Sequence, residues 1–351
     1  MIPRYTLSDG YSLSRIIKGG WHLAGDHGSV DPKQAIKDMA LFVEAGITTF
    51  DCADIYTGVE ELIGRFRRTY PTLAPLVQVH TKFVPDLSDL TSMDDRYIEN
   101  IIDRSLQRLG VERLDLIQFH WWDFKVPRYV EIALELERLR RAGKIAHIGV
   151  TNFDTRRLKE IVAAGVPVVS HQLQYSLLDD RPAGSMVEYC RSQNIVLLCY
   201  GTVAGGFLSE RWLGKAEPCH DGPAALTNRS LIKYKLIIED FGGWQLFQQL
   251  LTVLARIAAK HATDIASVAS RALLDRPQVA AVIVGATNTA HLQAHTQVDS
   301  LHLDSEDLTS IAAVTARRSG PQGEVYTLER DRTGKHGQIM KYQLNASTDS
   351  H

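Results

Sequence analysis

Apolar positions fall into two alternating rhythms along the chain. Short apolar-rich runs stand at Ile16–Ile17, Ile47–Phe50, Leu76–Thr81, Leu114–Phe119, Ile145–Val150, Val168–Gln174, Ile195–Tyr200 and Ala280–Val284. Each suits a strand covered on both faces. Between them, apolar residues recur with helical spacing. The first such segment runs from Pro32 to Glu44, with Ala35, Ile36, Met39, Phe42 and Val43 on one face. Asp31 supplies an N-cap, Pro32 suits the first helical position, and Gly46 ends the run. Further helices are expected from about Glu60 to Arg68, Arg96 to Leu109, Arg128 to Arg141, Asp154 to Ala164 and Pro182 to Asn194. Strands alternating with helices predict a parallel sheet with right-handed crossovers. Their number and spacing favour an α/β fold closed into a (β/α)8 TIM barrel. No G-x-G-x-x-G follows the first strand, so an open dinucleotide-binding sheet loses its main support.

Three stretches depart from this alternation. Residues 4–15 alternate around Ser8-Asp9-Gly10 and read as a hairpin. It is too polar to be central, so it is expected to plug the barrel bottom. Residues 201–244, rich in Gly, Pro and polar side chains, read as a long structureless insertion that covers the top of the barrel and a cofactor there. Residues 317–351 read as a polar C-terminal extension, either extended on the barrel surface or partly disordered. The barrel itself is expected to occupy 1–316 as one domain.

Composition narrows the function classes. The 351 residues are 44% hydrophobic and 23% charged, with a formal net charge of −2, which favours neither nucleic acid nor an anionic membrane. Cys52, Cys190, Cys199 and Cys219 show no CxxC spacing, which suits a reducing compartment. No apolar signal core opens the chain and no run approaches a membrane span, so a cytoplasmic location is expected.

Four polar residues fall at or just beyond predicted strand ends: Asp51, Tyr56, Lys82 and His120. Singly, each has an ordinary explanation: a helix cap, a packed loop ring, a solvated rim charge, a member of an aromatic cluster. Together at one rim they suggest chemistry, because barrels build active sites from strand C-termini. A phenol titrates too high to donate a proton well at neutral pH, and a neighbouring ammonium lowers it. A carboxylate keeps that ammonium charged. A histidine beside the phenol can hydrogen-bond a carbonyl oxygen. Such a site delivers a proton to a carbonyl that becomes an alcohol, and the hydride must come from a nicotinamide cofactor. Two other readings stay open. One is a Schiff-base barrel lyase using Lys82. The other is a cofactor-binding regulatory subunit with little turnover.

Several stretches, in order, resemble the aldo-keto reductase superfamily across roughly residues 1 to 316. They are Gly19-Gly20-Trp21, Gly46 to Tyr56 with Glu60 to Gly64, Thr81-Lys82, Leu114 to Trp121, Gly143 to Phe153, Gln172 to Tyr175, Tyr200 to Leu208, and Val284 to Thr287. The resemblance implies a β/α barrel that reduces aldehydes and ketones with NADPH and no metal. It places the catalytic tetrad at Asp51, Tyr56, Lys82 and His120, with Tyr56 as general acid. It implies cofactor contacts from Gly20, Trp21, Asp51, Thr151, Asn152, Gln172 and Tyr200. It adds Gly201, Thr202, Val203, Gly206 and Leu208 on a pyrophosphate loop, and Gly285, Thr287 and His291 after the last strand. Trp21, His22, Tyr56, His120, Trp121 and Trp122 are the expected substrate contacts. Such an aromatic wall would favour an aryl or polyketide-like carbonyl or alcohol; core packing is the other explanation of these rings. The family's usual basic residue for the adenosine 2′-phosphate is missing: residues 285–295 hold no arginine or lysine, only His291 and His295. A phosphate without a fixed cation forgoes about 1.5–3 kcal/mol. The cofactor is therefore NADP(H) or NAD(H), with the preference open.

Overall fold

The structure, a computed structural model, describes residues 3–24, 30–218, 226 and 228–345. Strands β1 (Arg4–Ser8) and β2 (Tyr11–Ser14) pair antiparallel as a hairpin. Eight parallel strands then close a barrel: β3 (Ile16–Gly19), β4 (Thr49–Asp51), β5 (Gln78–Phe83), β6 (Leu114–Phe119), β7 (Ile145–Thr151), β8 (Val168–Gln174), β9 (Val196–Tyr200) and β10 (Val279–Gly285). Each pairs with the next in sequence, and β10 returns to β3 through Val282 opposite Ile16. The expected (β/α)8 barrel and its N-terminal hairpin are both present. Leu13 of the hairpin is fully buried with Ile17, Leu116 and Leu198. The Tyr11 hydroxyl lies 2.9 Å from His80 Nε2, and Arg4 donates to the Gln78 side chain at 2.6 Å. Gln78 opens β5, so the hairpin closes the end opposite the strand C-termini.

The outer layer comprises α1 (Pro32–Glu44), α2 (Val59–Thr69), α3 (Asp95–Leu109), α4 (Tyr129–Arg141), α5 (Thr155–Ala163), α6 (Ser185–Ser192), α7 (Arg229–Phe241), α8 (Gly243–Lys260), α9 (Ile265–Leu274), α10 (Leu292–Gln297), α11 (Ser305–Thr315) and α12 (Thr327–Arg330). Local chemistry sets the first ends. The Asp31 side chain accepts from Lys33 N, and all five residues of the predicted α1 face are buried. Asp94 and Asp154 cap α3 and α5 in the same way.

The insertion is not structureless. Asn228 accepts from the amides of Ser230 and Leu231 and starts α7. That helix buries Tyr234, Ile237, Ile238 and Phe241 in a second apolar cluster with Phe207, Leu208 and α8. The Gly- and Pro-rich flanks around 214–223 hide this helical spacing in the sequence. Helices α8, α9 and α11, which strand-by-strand reading leaves unassigned, complete the same cluster. The described part of the tail, 317–345, also has fixed structure: it crosses to the strand C-terminal end, where Val325, Tyr326 and Glu329 are buried. Among the described residues no helix is long and apolar enough to cross a membrane.

Candidate active site

Three of the four expected tetrad residues sit where a strand stops. Asp51 is the last residue of β4, Lys82 the penultimate one of β5, and His120 follows β6. Tyr56 lies on the loop between β4 and α2. Lys82 Nζ donates to both Asp51 oxygens, at 2.9 and 2.8 Å, and to the Cys52 carbonyl at 2.7 Å. Asp51 Oδ1 also accepts from Gln118 at 3.1 Å and Gln172 at 2.6 Å. Lys82 Nζ lies 4.9 Å from the Tyr56 ring centroid, and its charge acts on the phenol. Trp21 packs against the Tyr56 ring at 5.0 Å.

Burial and charge compete over each proton. For Lys82, burial favours the neutral amine, but Asp51 and Tyr56 outweigh it and hold the group above the usual lysine range. For Tyr56, burial is the largest influence and pushes the phenol up to about 12. Lys82 pulls it down, as expected from the sequence, yet Asp51 adds to the rise. The expected net lowering is therefore absent, because desolvation outweighs the ammonium. The resting phenol is protonated at neutral pH.

His120 is held neutral. Burial, then the Arg330 charge, pushes its imidazole down to about 3. Nδ1 lies 3.3 Å from the Thr151 carbonyl, which can only accept, so this contact places the proton on Nδ1. Nε2 is buried without a partner among the described residues. Trp122 stands edge-on to the ring at 4.3 Å and Tyr326 at 5.5 Å.

The predicted cofactor residues form two groups. Asn152, with φ 63°, donates its backbone N–H to the Gln172 carbonyl and accepts the Tyr200 hydroxyl at 2.8 Å. The Gln172 side-chain amide nitrogen donates to Asp51 and braces that carboxylate. Gly20 must be glycine, since a Cβ there would lie 2.7 Å from the Asp51 carbonyl. On the following loop Gly201, Gly205 and Gly206 all have positive φ. Leu208 and Thr202 are buried, and the Thr202 hydroxyl has no partner among the described residues. Val203 packs against the second apolar cluster. Gly201 has a packing reason for lacking a side chain, because a Cβ would meet the Tyr234 hydroxyl.

At the end of β10 and just beyond it, Gly285, Thr287 and His291 are exposed. Burial and then His291 push His295 down to about 4, so it carries no charge at neutral pH. Lys18, the ammonium that donates to the Ala286 carbonyl at 3.1 Å, is buried.

One predicted substrate contact, Trp121, packs away from the mouth. Trp121 is fully buried, with its indole N–H on the Asp123 and Val126 carbonyls, so it packs the loop instead of the mouth. His22 lies against Gly285, where a Cβ would fall 2.6 Å from its imidazole. Trp122 does reach His120, and its indole donates to the Pro85 carbonyl at 2.8 Å. An outer cavity of about 600 Å³ between α1 and α2, lined by Lys33, Lys37, Arg65 and Arg68 among others, contains no tetrad residue.

Sequence reading missed the tail's part in the mouth. Arg181 clasps Asp179 at 2.7 Å and Glu329 at 3.0 Å, all three side chains nearly inaccessible. Arg330 donates to the Trp121 and Asn152 carbonyls at 2.9 and 2.7 Å. Burial disfavours the Glu329 carboxylate, but Arg181 outweighs it and holds Glu329 down to about 2, against 4.5 ordinarily. A depressed carboxylate stabilises the fold fully above its unfolded value and loses that contribution as pH falls through the folded one. Protection of amides 326–342 against hydrogen exchange should therefore persist at pH 5 and weaken progressively from about 4.5 towards 2.

A closed β/α barrel with a carboxylate-held lysine, a phenol and a neutral imidazole at its strand C-termini defines an enzyme-like rim. Among the described residues no cluster of potential metal ligands accompanies it. The profile of the Aldo/keto reductase family matches residues 15–316. The chain is 26% identical over 315 residues to "Aldo-keto reductase YhdN" of Bacillus subtilis, covering 87% of this chain and 91% of that one. It is 30% identical over 301 residues to "Flagellar radial spoke protein 5" of Chlamydomonas reinhardtii, covering 69% of this chain and 56% of that protein. The solved glycerol dehydrogenase AKR11B4 of Gluconobacter oxydans superposes with a TM-score of 0.74 at 24% identity, covering 92% of this chain and 97% of that chain. The chain belongs to the aldo/keto reductase family, a family of oxidoreductases that use nicotinamide cofactors.

Proposed function

We propose that the protein interconverts an aldehyde or ketone with its alcohol by hydride transfer, with Tyr56 as the proton donor and acceptor. The observation that carries this reading is the Asp51–Lys82 pair beside the Tyr56 phenol. Asp51, braced by Gln118 and Gln172, keeps Lys82 charged. Lys82 opposes the upward push of burial on Tyr56, and stabilises the phenolate left when the proton moves to the substrate oxygen. His120 orients that oxygen. With the proton on Nδ1, Nε2 would accept from an alcohol hydroxyl; donating to a carbonyl requires moving the proton to Nε2, at the cost of the long Thr151 contact.

Thr151, Asn152 and Tyr200 would hold the nicotinamide, and the Gly201–Leu208 loop its pyrophosphate. The unpartnered Thr202 hydroxyl and the positive-φ glycines fit that role. Bound there, the nicotinamide supplies the hydride. The Schiff-base alternative needs a neutral amine, which the Asp51 pairing of Lys82 opposes.

Fluorescence titration of NADPH and NADH, then an aldehyde, ketone and alcohol panel, tests the reading. Cofactor binding with turnover supports it; binding with negligible turnover would favour a regulatory subunit. The affinity ratio between the two cofactors should lie within about tenfold, roughly 1.4 kcal/mol. A preference of several hundredfold would contradict the account of residues 285–295.

The pH profiles follow from the same groups. Reduction uses the phenol and oxidation the phenolate. Across pH 6–9 log kcat/KM for alcohol oxidation should rise with pH without reaching a plateau, since Tyr56 stands near 12. Reduction should show no inflection from His120, which stands near 3. An inflection near pH 6.5 that disappears in His120→Gln would contradict the neutral imidazole.

A further inference from the structure

A second ammonium stands in the mouth, outside the tetrad. Lys233 belongs to α7, next to Tyr234, whose hydroxyl lies over Gly201. Its Nζ lies 5.1 Å from the Tyr200 ring centroid, 5.5 Å from that of Tyr234 and 6.0 Å from that of Tyr326. Ring faces surround it; among the described residues it makes no ion pair or hydrogen bond. The carboxylates that act on it, Glu329 and Asp179, are both clasped by Arg181. Burial disfavours its charge, and ring faces compensate a desolvated ammonium only in part. Tyr326 links this cation to the reaction centre, standing 5.5 Å from His120. The Lys233 ammonium and the His120 ring are therefore no farther apart than 6.0 and 5.5 Å laid end to end.

Taking the carbonyl-reductase reading as its basis, we infer that Lys233 binds an anionic group of the substrate, a carboxylate or phosphate, a few atoms from the carbonyl held by Tyr56 and His120. An anion there would give the ammonium the charge-assisted partner it lacks. The short span calls for a compact substrate, such as an aromatic ring or short chain with an oxo group at one end and an acid at the other. Tyr234 and Tyr326 would wall the spacer, and the tail clasped by Arg181 holds Tyr326 in place. The phosphates of a bound dinucleotide are the other anions that α7 could meet, and the test separates the two.

Wild type, Lys233→Met and Lys233→Arg are compared on 4-formylbenzoate against benzaldehyde, and on glyceraldehyde 3-phosphate against glyceraldehyde. The methionine keeps an apolar stem, and its benzaldehyde turnover and melting temperature report the fold. The charged-to-neutral ratio of kcat/KM should fall about ten- to a hundredfold in Lys233→Met for at least one pair, mainly through KM, and largely persist in Lys233→Arg. Whichever pair responds identifies the acid. An unchanged ratio for both pairs overturns the inference. So does an unchanged ratio with a matching loss of NADPH affinity, which would assign the cation to the cofactor. If wild type reduces none of these aldehydes, that result bears on the reductase reading alone, which the wider panel decides. Calorimetric titration of 4-formylbenzoate and glyceraldehyde 3-phosphate then decides the site: weaker binding of either to Lys233→Met supports the inference, and equal or absent binding of both overturns it.

Discussion

Tyr56→Phe is expected to lower kcat about a hundred- to ten-thousandfold while cofactor affinity stays within about twofold of wild type. The phenyl ring keeps the contact with Trp21 and the approach of Lys82; only the hydroxyl is lost. Asp51 still holds the ammonium, so the fold has no buried charge left bare. The loss should therefore appear in turnover, with little change in thermal midpoint. Steady-state kinetics, cofactor fluorescence titration and a melting curve on one preparation separate these quantities. Retained turnover would remove Tyr56 from the chemistry. A large loss of cofactor affinity would instead make it a binding residue.

Asp51→Asn should damage both stability and activity. The carboxylate accepts two contacts from Lys82 and one each from Gln118 and Gln172. An asparagine amide supplies no charge and puts a donor among donors. Breaking a buried ion pair by removing one partner costs about 3–5 kcal/mol. The urea midpoint should fall accordingly with an unchanged slope. Tyr56 and Cys52 still favour the charged amine, but without Asp51 the opposing effect of burial weighs more on Lys82, and its pKa drops. The phenolate of Tyr56 loses that support, so turnover falls as well. Adding Lys82→Met removes the stranded charge and should recover much of the stability but none of the activity. A single variant within about 1 kcal/mol of wild type would mean that water screens the pair.

The barrel was legible because its strands are short apolar runs and its first helices carry explicit caps, Asp31, Asp94 and Asp154. The tetrad was legible because strand alternation and strand ends are local features. Gln118 carried a usable signal: it stands two residues before His120, near the end of the strand that His120 follows, and reaches Asp51. Trp121 sits one residue out of that register, which explains its burial in the loop. Gln172 was placed at the right rim, but its bond to Asp51 depends on which way an amide turns, and sequence does not encode that. The tail was beyond reach. Nothing near Glu329 indicates that Arg181, far back in the chain, will hold it, and the pairing exists only after the barrel closes. Lys233 was hidden for the same reason, inside a stretch whose glycines and prolines masked the helix that carries it.

Proton delivery by Tyr56 to a carbonyl that takes hydride from a nicotinamide is tested most directly in a single turnover. Enzyme preloaded with cofactor deuterated at the transferring position is mixed with the best carbonyl of the panel. Nicotinamide fluorescence gives the rate, and mass spectrometry the product. The expected result is one deuterium on the carbinol carbon, formed at least a hundredfold more slowly in Tyr56→Phe. An alcohol without deuterium, a covalent adduct on Lys82, or an undiminished rate in the variant would contradict it.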